Sequence, residues 1–226
     1  MNKAIRVVIL CLISGLLLTA IVSSSSTKPS VAEQVWDARA TVGNIEAKNY
    51  YVMYTDIMCP YCDVFTREVI NNEEEFNKYL AEKDILFEVR VTEMLYDSVN
   101  SEYSHQSAVA AYCAKNEDKF FDYYHAAIKT LYEDYHSKGI GDSKTSPQIT
   151  DLPEDYWVKI GKKVELGEKF ENCYYNEETA DEVRKNTVRA EKNANGLPYF
   201  VLNNETVAGY DASWGWSTLF DAGLKK

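Results

Sequence analysis

The chain opens on an apolar run over residues 7–22, with Lys3 and Arg6 ahead of it and Ser23, Ser24, Ser25, Ser26 and Lys28-Pro29 behind. Basic, then apolar, then small polar residues is the order of an export signal. The run is near the short end of the roughly 17–25 residues that span a bilayer. Residues 1–24 are therefore read as a cleaved signal peptide or a retained membrane anchor, with the rest of the chain extracytoplasmic. After a linker over residues 25–37, Tyr50-Tyr51-Val52-Met53-Tyr54 is an unbroken β-prone run that stops at Thr55-Asp56, the pattern of a buried strand. Phe65, Val69 and Ile70 then recur at helical spacing, Asn71-Asn72 interrupts, and a second helical stretch covers residues 73–80. Residues 85–91 alternate like a strand, and a strand, helix, strand order implies a right-handed crossover onto a parallel neighbour.

From residue 104 to about 195 the pattern turns helical, with helices expected over 108–114, 120–132, 156–163, 168–175 and 179–194. Residues 137–153, rich in Gly, Ser, Thr and Pro, read as a loop between two helical pairs. Strands resume after Gly196: residues 199–202 and 205–208 flank Asn203-Asn204, whose side chains tolerate positive φ, and so predict a hairpin. Residues 214–224 close the chain as a helix. The expectation is one domain over 38–226, built from residues 38–103 and 196–226, with a helical insertion at 104–195.

A length of 226 residues suits one core carrying an insertion better than two full domains. The formal charge of −11, with no basic run after Arg6, lacks the phosphate-neutralising surface that nucleic acid requires. Cysteine usage says more. Setting Cys11 of the apolar segment aside leaves Cys59, Cys62, Cys113 and Cys173, an even number in a compartment that permits disulfides.

Cys59-Pro60-Tyr61-Cys62 directly follows the buried strand and opens a helix. Two cysteines so spaced lie one turn apart on one face, close enough to bridge reversibly. Cys59 falls at the helix N-terminus, where free N–H groups and the helix dipole favour a thiolate and make it a good leaving group. Pro60 suits the first turn, having no N–H to leave unpaired, and Cys62 points inward as the resolving thiol. A structural disulfide and half a zinc site are the competing readings, but a zinc site needs a second close pair, and Cys113 and Cys173 are too isolated to supply one. Those two read as a staple between helices, with a second redox pair and two buried free thiols as alternatives. His105, His125 and His136 show no ligand spacing, so no metal is expected. The aromatic cluster at residues 120–124 reads as core, with a peptide groove as the alternative. Asp56 reads as a turn or helix-entry residue without a catalytic role.

Residues 55–62, Thr-Asp-Ile-Met-Cys-Pro-Tyr-Cys, resemble the active-site segment of DsbA-like thiol-disulfide oxidoreductases. Val42-Gly43-Asn44, Ala111-Tyr112-Cys113-Ala114, Phe120-Phe121, Cys173 and Gly196-Leu197-Pro198-Tyr199-Phe200 fall where that family has its landmarks. The resemblance implies a thioredoxin fold, a cis-proline at Pro198 facing the cysteine pair, and backbone hydrogen bonds from Leu197 to an extended substrate. It further implies reduced or unfolded exported polypeptides as substrates, a membrane redox partner of the DsbB or VKOR type, and no cofactor beyond the Cys59–Cys62 disulfide. Three positions depart from the pattern. Met53 stands where relatives often carry a buried acid that moves the resolving thiol's proton, Tyr61 where the best-known oxidant has histidine, and Leu197 and Tyr199 flank the proline where smaller or polar residues are common. The function expected is disulfide donation. A reductase or isomerase using the same site, and a non-catalytic peptide holdase, are the rivals.

Overall fold

The apolar run ahead of the cysteine motif becomes the middle of a five-stranded mixed sheet. The structure, a computed structural model, describes residues 34–96, 102–207, 210–213 and 215–225. The export segment expected at 1–24 lies outside the described residues, as does most of the linker. Strands β1 (Thr41–Gly43), β2 (Asn49–Thr55), β3 (Ile85–Val91), β4 (Tyr199–Leu202) and β5 (Glu205–Thr206) lie in the order β1-β3-β2-β4-β5. β2 and β3 are parallel, with Tyr51 beside Phe87 and Thr55 beside Val91, while β4 returns antiparallel to β2 with Met53 beside Phe200. Asn203 and Asn204 close the β4–β5 turn at φ values of 49° and 72°. β5 is shorter than its sequence suggests, as befits an exposed edge strand.

β1 is a strand the periodicity does not reveal, because three residues are too few to show a period. Gly43 ends it at a φ of 108°, where a Cβ would stand 2.5 Å from the Ile85 carbonyl oxygen, so only glycine fits. β3 is buried along its whole length, including its polar positions. Glu88 and Arg90 pair there at 2.8 Å, and Glu88 also accepts the N–H groups of Trp36 and Asp37, each at 3.1 Å. The alternation of β3 thus marks a face covered by residues 34–37 rather than by water.

Helices α1 (Pro60–Asn71) and α2 (Glu73–Glu82) cross from β2 to β3, and Asn72 separates them. The helical layer follows as α3 (Glu102–Lys115), α4 (Phe120–Asp134), α5 (Tyr156–Lys163), α6 (Glu168–Tyr175) and α7 (Ala180–Glu191), and α8 (Gly215–Leu224) packs back on the sheet through the stacked pair Tyr51–Phe220. Phe120, Tyr123 and Tyr124 of α4 are buried, which assigns the aromatic cluster to the core.

Cys113 of α3 and Cys173 of α6 are disulfide-bonded, 60 residues apart in sequence. Cross-linking a loop of that length typically stabilises by about 2–4 kcal/mol. The double variant Cys113→Ala/Cys173→Ala should unfold in urea with a stability lower by about that amount and keep its Cys59 alkylation rate. A variant as stable as the parent would show that the bond staples nothing.

Candidate active site

β2 delivers the chain to the site through Thr55 and Asp56, and the turn closes with the Cys59 N–H on the Asp56 carbonyl at 3.0 Å. Cys59 is the N-cap of α1, with extended backbone, and Pro60 takes the first helical position. The Asp63 N–H bonds the Cys59 carbonyl at 3.0 Å, so the helix begins at the cysteine itself. The remaining first-turn N–H groups have no helical partner and face the N-cap side chain.

The two sulfurs differ in surroundings. Cys59, 4% exposed, lines a cavity and donates its S–H to the Leu197 carbonyl at 3.8 Å. Cys62 is wholly buried behind it. Burial first, and then the neighbouring Cys59, pushes the Cys62 thiol well above its ordinary value, while hydrogen bonds from the Thr55 side chain and the Asp56 backbone pull the other way. Tyr61, between the cysteines, is 60% exposed and offers a ring to the surface. The Leu197–Pro198 peptide is cis.

The cavity measures about 610 Å³. Met58 and Tyr61 line one side, Met94 and Leu95 another, Ile149 of the long loop after α4 faces them, and Gly196-Leu197 completes the rim. Among the described residues Lys144 is the one charged side chain on its wall. The loop of the helical layer and Cys59 therefore line the same cavity.

Asp56 holds the turn that its sequence position predicts, but its burial and distant partners are not legible there. Its carboxylate is completely buried and accepts hydrogen bonds from the Met58 N–H at 2.9 Å, the Leu95 N–H at 3.1 Å and the Ser104 hydroxyl at 2.5 Å. It ties together the cysteine turn, the segment after β3 and the start of α3, three walls of the cavity. Burial outweighs those hydrogen bonds and pushes the carboxyl up to about 6. A single aspartate in an apolar stretch gives no sequence signal of this, because its partners lie up to 48 residues away.

The histidines have partners of their own. His105 pairs with Glu93, His136 lies 3.4 Å from Asp63, and His125 packs against the rings of Phe121 and Tyr124. Among the described residues no group of three His, Cys, Asp or Glu side chains could hold a metal. Met53 is buried, so no acid occupies that position of β2.

A helix-capping cysteine bonded to the carbonyl of the residue before a cis-proline, with its partner buried one turn on, is the site architecture of a thioredoxin-type dithiol protein. The profile of a thioredoxin family matches residues 37–222, and the chain belongs to that family. Among solved structures it is similar to a thioredoxin-like oxidoreductase from Silicibacter pomeroyi DSS-3, at 21% identity and a TM-score of 0.59 over 88% of this chain and 97% of that one. It is also similar to reduced DsbA from Mycobacterium tuberculosis, at 17% identity and 0.57 over 82% and 89%, and to oxidised BdbD from Bacillus subtilis, at 19% identity and 0.56 over 83% and 93%. The fold is that of the DsbA-type thiol-disulfide oxidoreductases. No curated relative matches the sequence.

Proposed function

We propose that this chain is an exported protein thiol-disulfide oxidoreductase that donates the Cys59–Cys62 disulfide to reduced polypeptides outside the cytoplasm. The observation that carries the reading is the inequality of the cysteines: Cys59 stands at a helix N-terminus and lines the cavity, and Cys62 is wholly buried and does not line it. A substrate thiolate attacks the Cys59 sulfur, the Cys59–Cys62 bond breaks, and Cys62 leaves with the electron pair and takes up a proton. A second substrate thiolate then attacks the substrate sulfur of the mixed disulfide and expels Cys59 as thiolate. The substrate loses two electrons and the Cys59–Cys62 pair gains them, so the chemistry needs no cofactor beyond the pair. Reoxidation falls to a membrane partner of the DsbB or VKOR type, reached from a chain exported by its N-terminal segment.

The cavity supports extended polypeptide as substrate, because its walls combine apolar side chains with backbone around Leu197 at the reacting sulfur. Direction is tested by the reduction potential of the full-length chain, equilibrated in glutathione buffers and read by thiol alkylation. A value towards about −120 mV fits a donor, a less extreme one than the strongest oxidants because Tyr61 brings no cation to Cys59, whereas one near about −270 mV makes the protein a reductase. A pair that never cycles leaves only a peptide-holding role.

A further inference from the structure

Breaking or forming a disulfide at Cys62 moves a proton as well as electrons, and Cys62 has no surface of its own through which to exchange it. The groups that act on its thiol are Cys59, the Asp56 backbone and the Thr55 side chain. Cys59 is bonded to the other thiol partner at the moment of resolution, and a backbone amide does not relay protons at this rate. That leaves the Thr55 hydroxyl. Thr55 Oγ1 lies 3.2 Å from the Tyr124 hydroxyl, which lies 2.8 Å from Thr66 Oγ1. All three side chains are buried. Tyr124 and Thr66 nevertheless line a second cavity of about 160 Å³ that shares no residue with the first and has the exposed Glu73 and Asn77 among its lining residues. Met53 lines it too and supplies no acid.

We propose that Thr55, Tyr124 and Thr66 form a hydroxyl wire that carries the proton of the Cys62 thiol to and from water in this second cavity. The inference rests on exchange chemistry at Cys59–Cys62. Each hydroxyl is one donor and an acceptor, so the chain can point either way. When Cys62 leaves as thiolate, Thr55 gives it a hydrogen, Tyr124 replaces that hydrogen on Thr55, Thr66 replaces it on Tyr124, and a cavity water replaces it on Thr66, becoming hydroxide. When the Cys62 thiol attacks a mixed disulfide on Cys59, every hydrogen shifts the other way and the cavity water leaves as hydronium. In both directions the hydroxyls end as they began and the sulfur changes by one proton.

The test uses the full-length reduced chain and an aromatic disulfide reagent that releases a coloured thiolate twice, first on attack by Cys59 and again when Cys62 resolves the mixed disulfide. Tyr124→Phe and Thr66→Val should each leave the first release unchanged and slow the second by about 100-fold near neutral pH, the low end of what a positioned acid–base group contributes. The deficit should shrink as pH rises and Cys62 ionises without help, and the solvent deuterium effect of the parent should change in the variants. The ionisable groups around the wire are Cys59, Cys62 and Asp56 at its inner end, Asp63 with its partners Arg67 and His136 near Tyr124, and Glu73 and His125 at the cavity. Thr66→Val alters none of them, and it serves if Tyr124→Phe folds poorly. Thr66→Ser, which keeps the hydroxyl, should restore the rate. An unchanged second release, or one slowed equally at every pH or not restored by serine, overturns the wire and leaves exchange intact. Absence of a second release in the parent overturns the exchange reading instead.

Discussion

Cys59→Ser is expected to lower disulfide transfer to the uncatalysed background, while Cys62→Ser accumulates a stable mixed disulfide between Cys59 and its substrate. The two outcomes follow from the positions of the sulfurs. Of the two cysteines only Cys59 lines the cavity that a substrate sulfur can enter, and only its side chain sits at the helix N-terminus. A serine hydroxyl at position 59 neither forms the disulfide nor ionises near neutrality, so nothing remains to be attacked. A serine at position 62 leaves the nucleophile in place and removes the group that releases it. Incubating each variant with a disulfide-bonded peptide and weighing the products by mass spectrometry distinguishes them. A covalent adduct on Cys62 in the Cys59→Ser protein would reverse the roles assigned here.

The position of this site was legible because its determinants are local. The apolar run of β2, the cysteine spacing and Pro60 lie within a dozen residues, and together they place Cys59 at a strand-to-helix junction. The Asn203-Asn204 turn and the break at Asn72 are local in the same way. What the sequence did not reveal depends on residues brought together by the fold. Glu88 and Arg90 look like solvent-facing positions of an alternating strand until residues 34–37 and Tyr50 close over them. Tyr124 falls within an aromatic cluster that reads as core or as a peptide groove, and its hydroxyl has a meaning only when set between Thr55 and Thr66, 69 and 58 residues distant. Asp56 is the extreme case, since its burial is decided by Leu95 and Ser104. Periodicity reports which face of an element is covered and by roughly how much, but not by which polar partner.

Asp56 also gives the second large expected effect, a change in stability with pH. Its carboxyl is held at about 6 in the folded protein against an ordinary value of 3.8, with burial as the main cause. The folded state therefore binds the proton more tightly than the unfolded chain does. Between about pH 4 and pH 6 the native protein holds more of this proton than the unfolded one, so this group's contribution to stability is complete below the lower value and is lost as pH rises through the upper one. The gap between 3.8 and about 6 corresponds to roughly 3 kcal/mol. Asp56→Asn keeps the shape and does not titrate, so its stability relative to the parent should rise by roughly 3 kcal/mol between pH 4 and pH 7, as read from urea unfolding at each pH. Parallel curves would show that the carboxylate costs nothing where it sits. If the curves diverge as expected, the parent carries a destabilising buried charge at neutral pH. The structure gives that charge a reason: an ionised carboxylate accepts from Met58, Leu95 and Ser104 at once. An amide, with one acceptor oxygen and two donors of its own, must turn a donor towards at least one of them. The asparagine protein should accordingly gain on the parent between pH 4 and pH 7 and be the looser one at the cavity, with faster amide exchange at Met58 or Leu95 than in the parent.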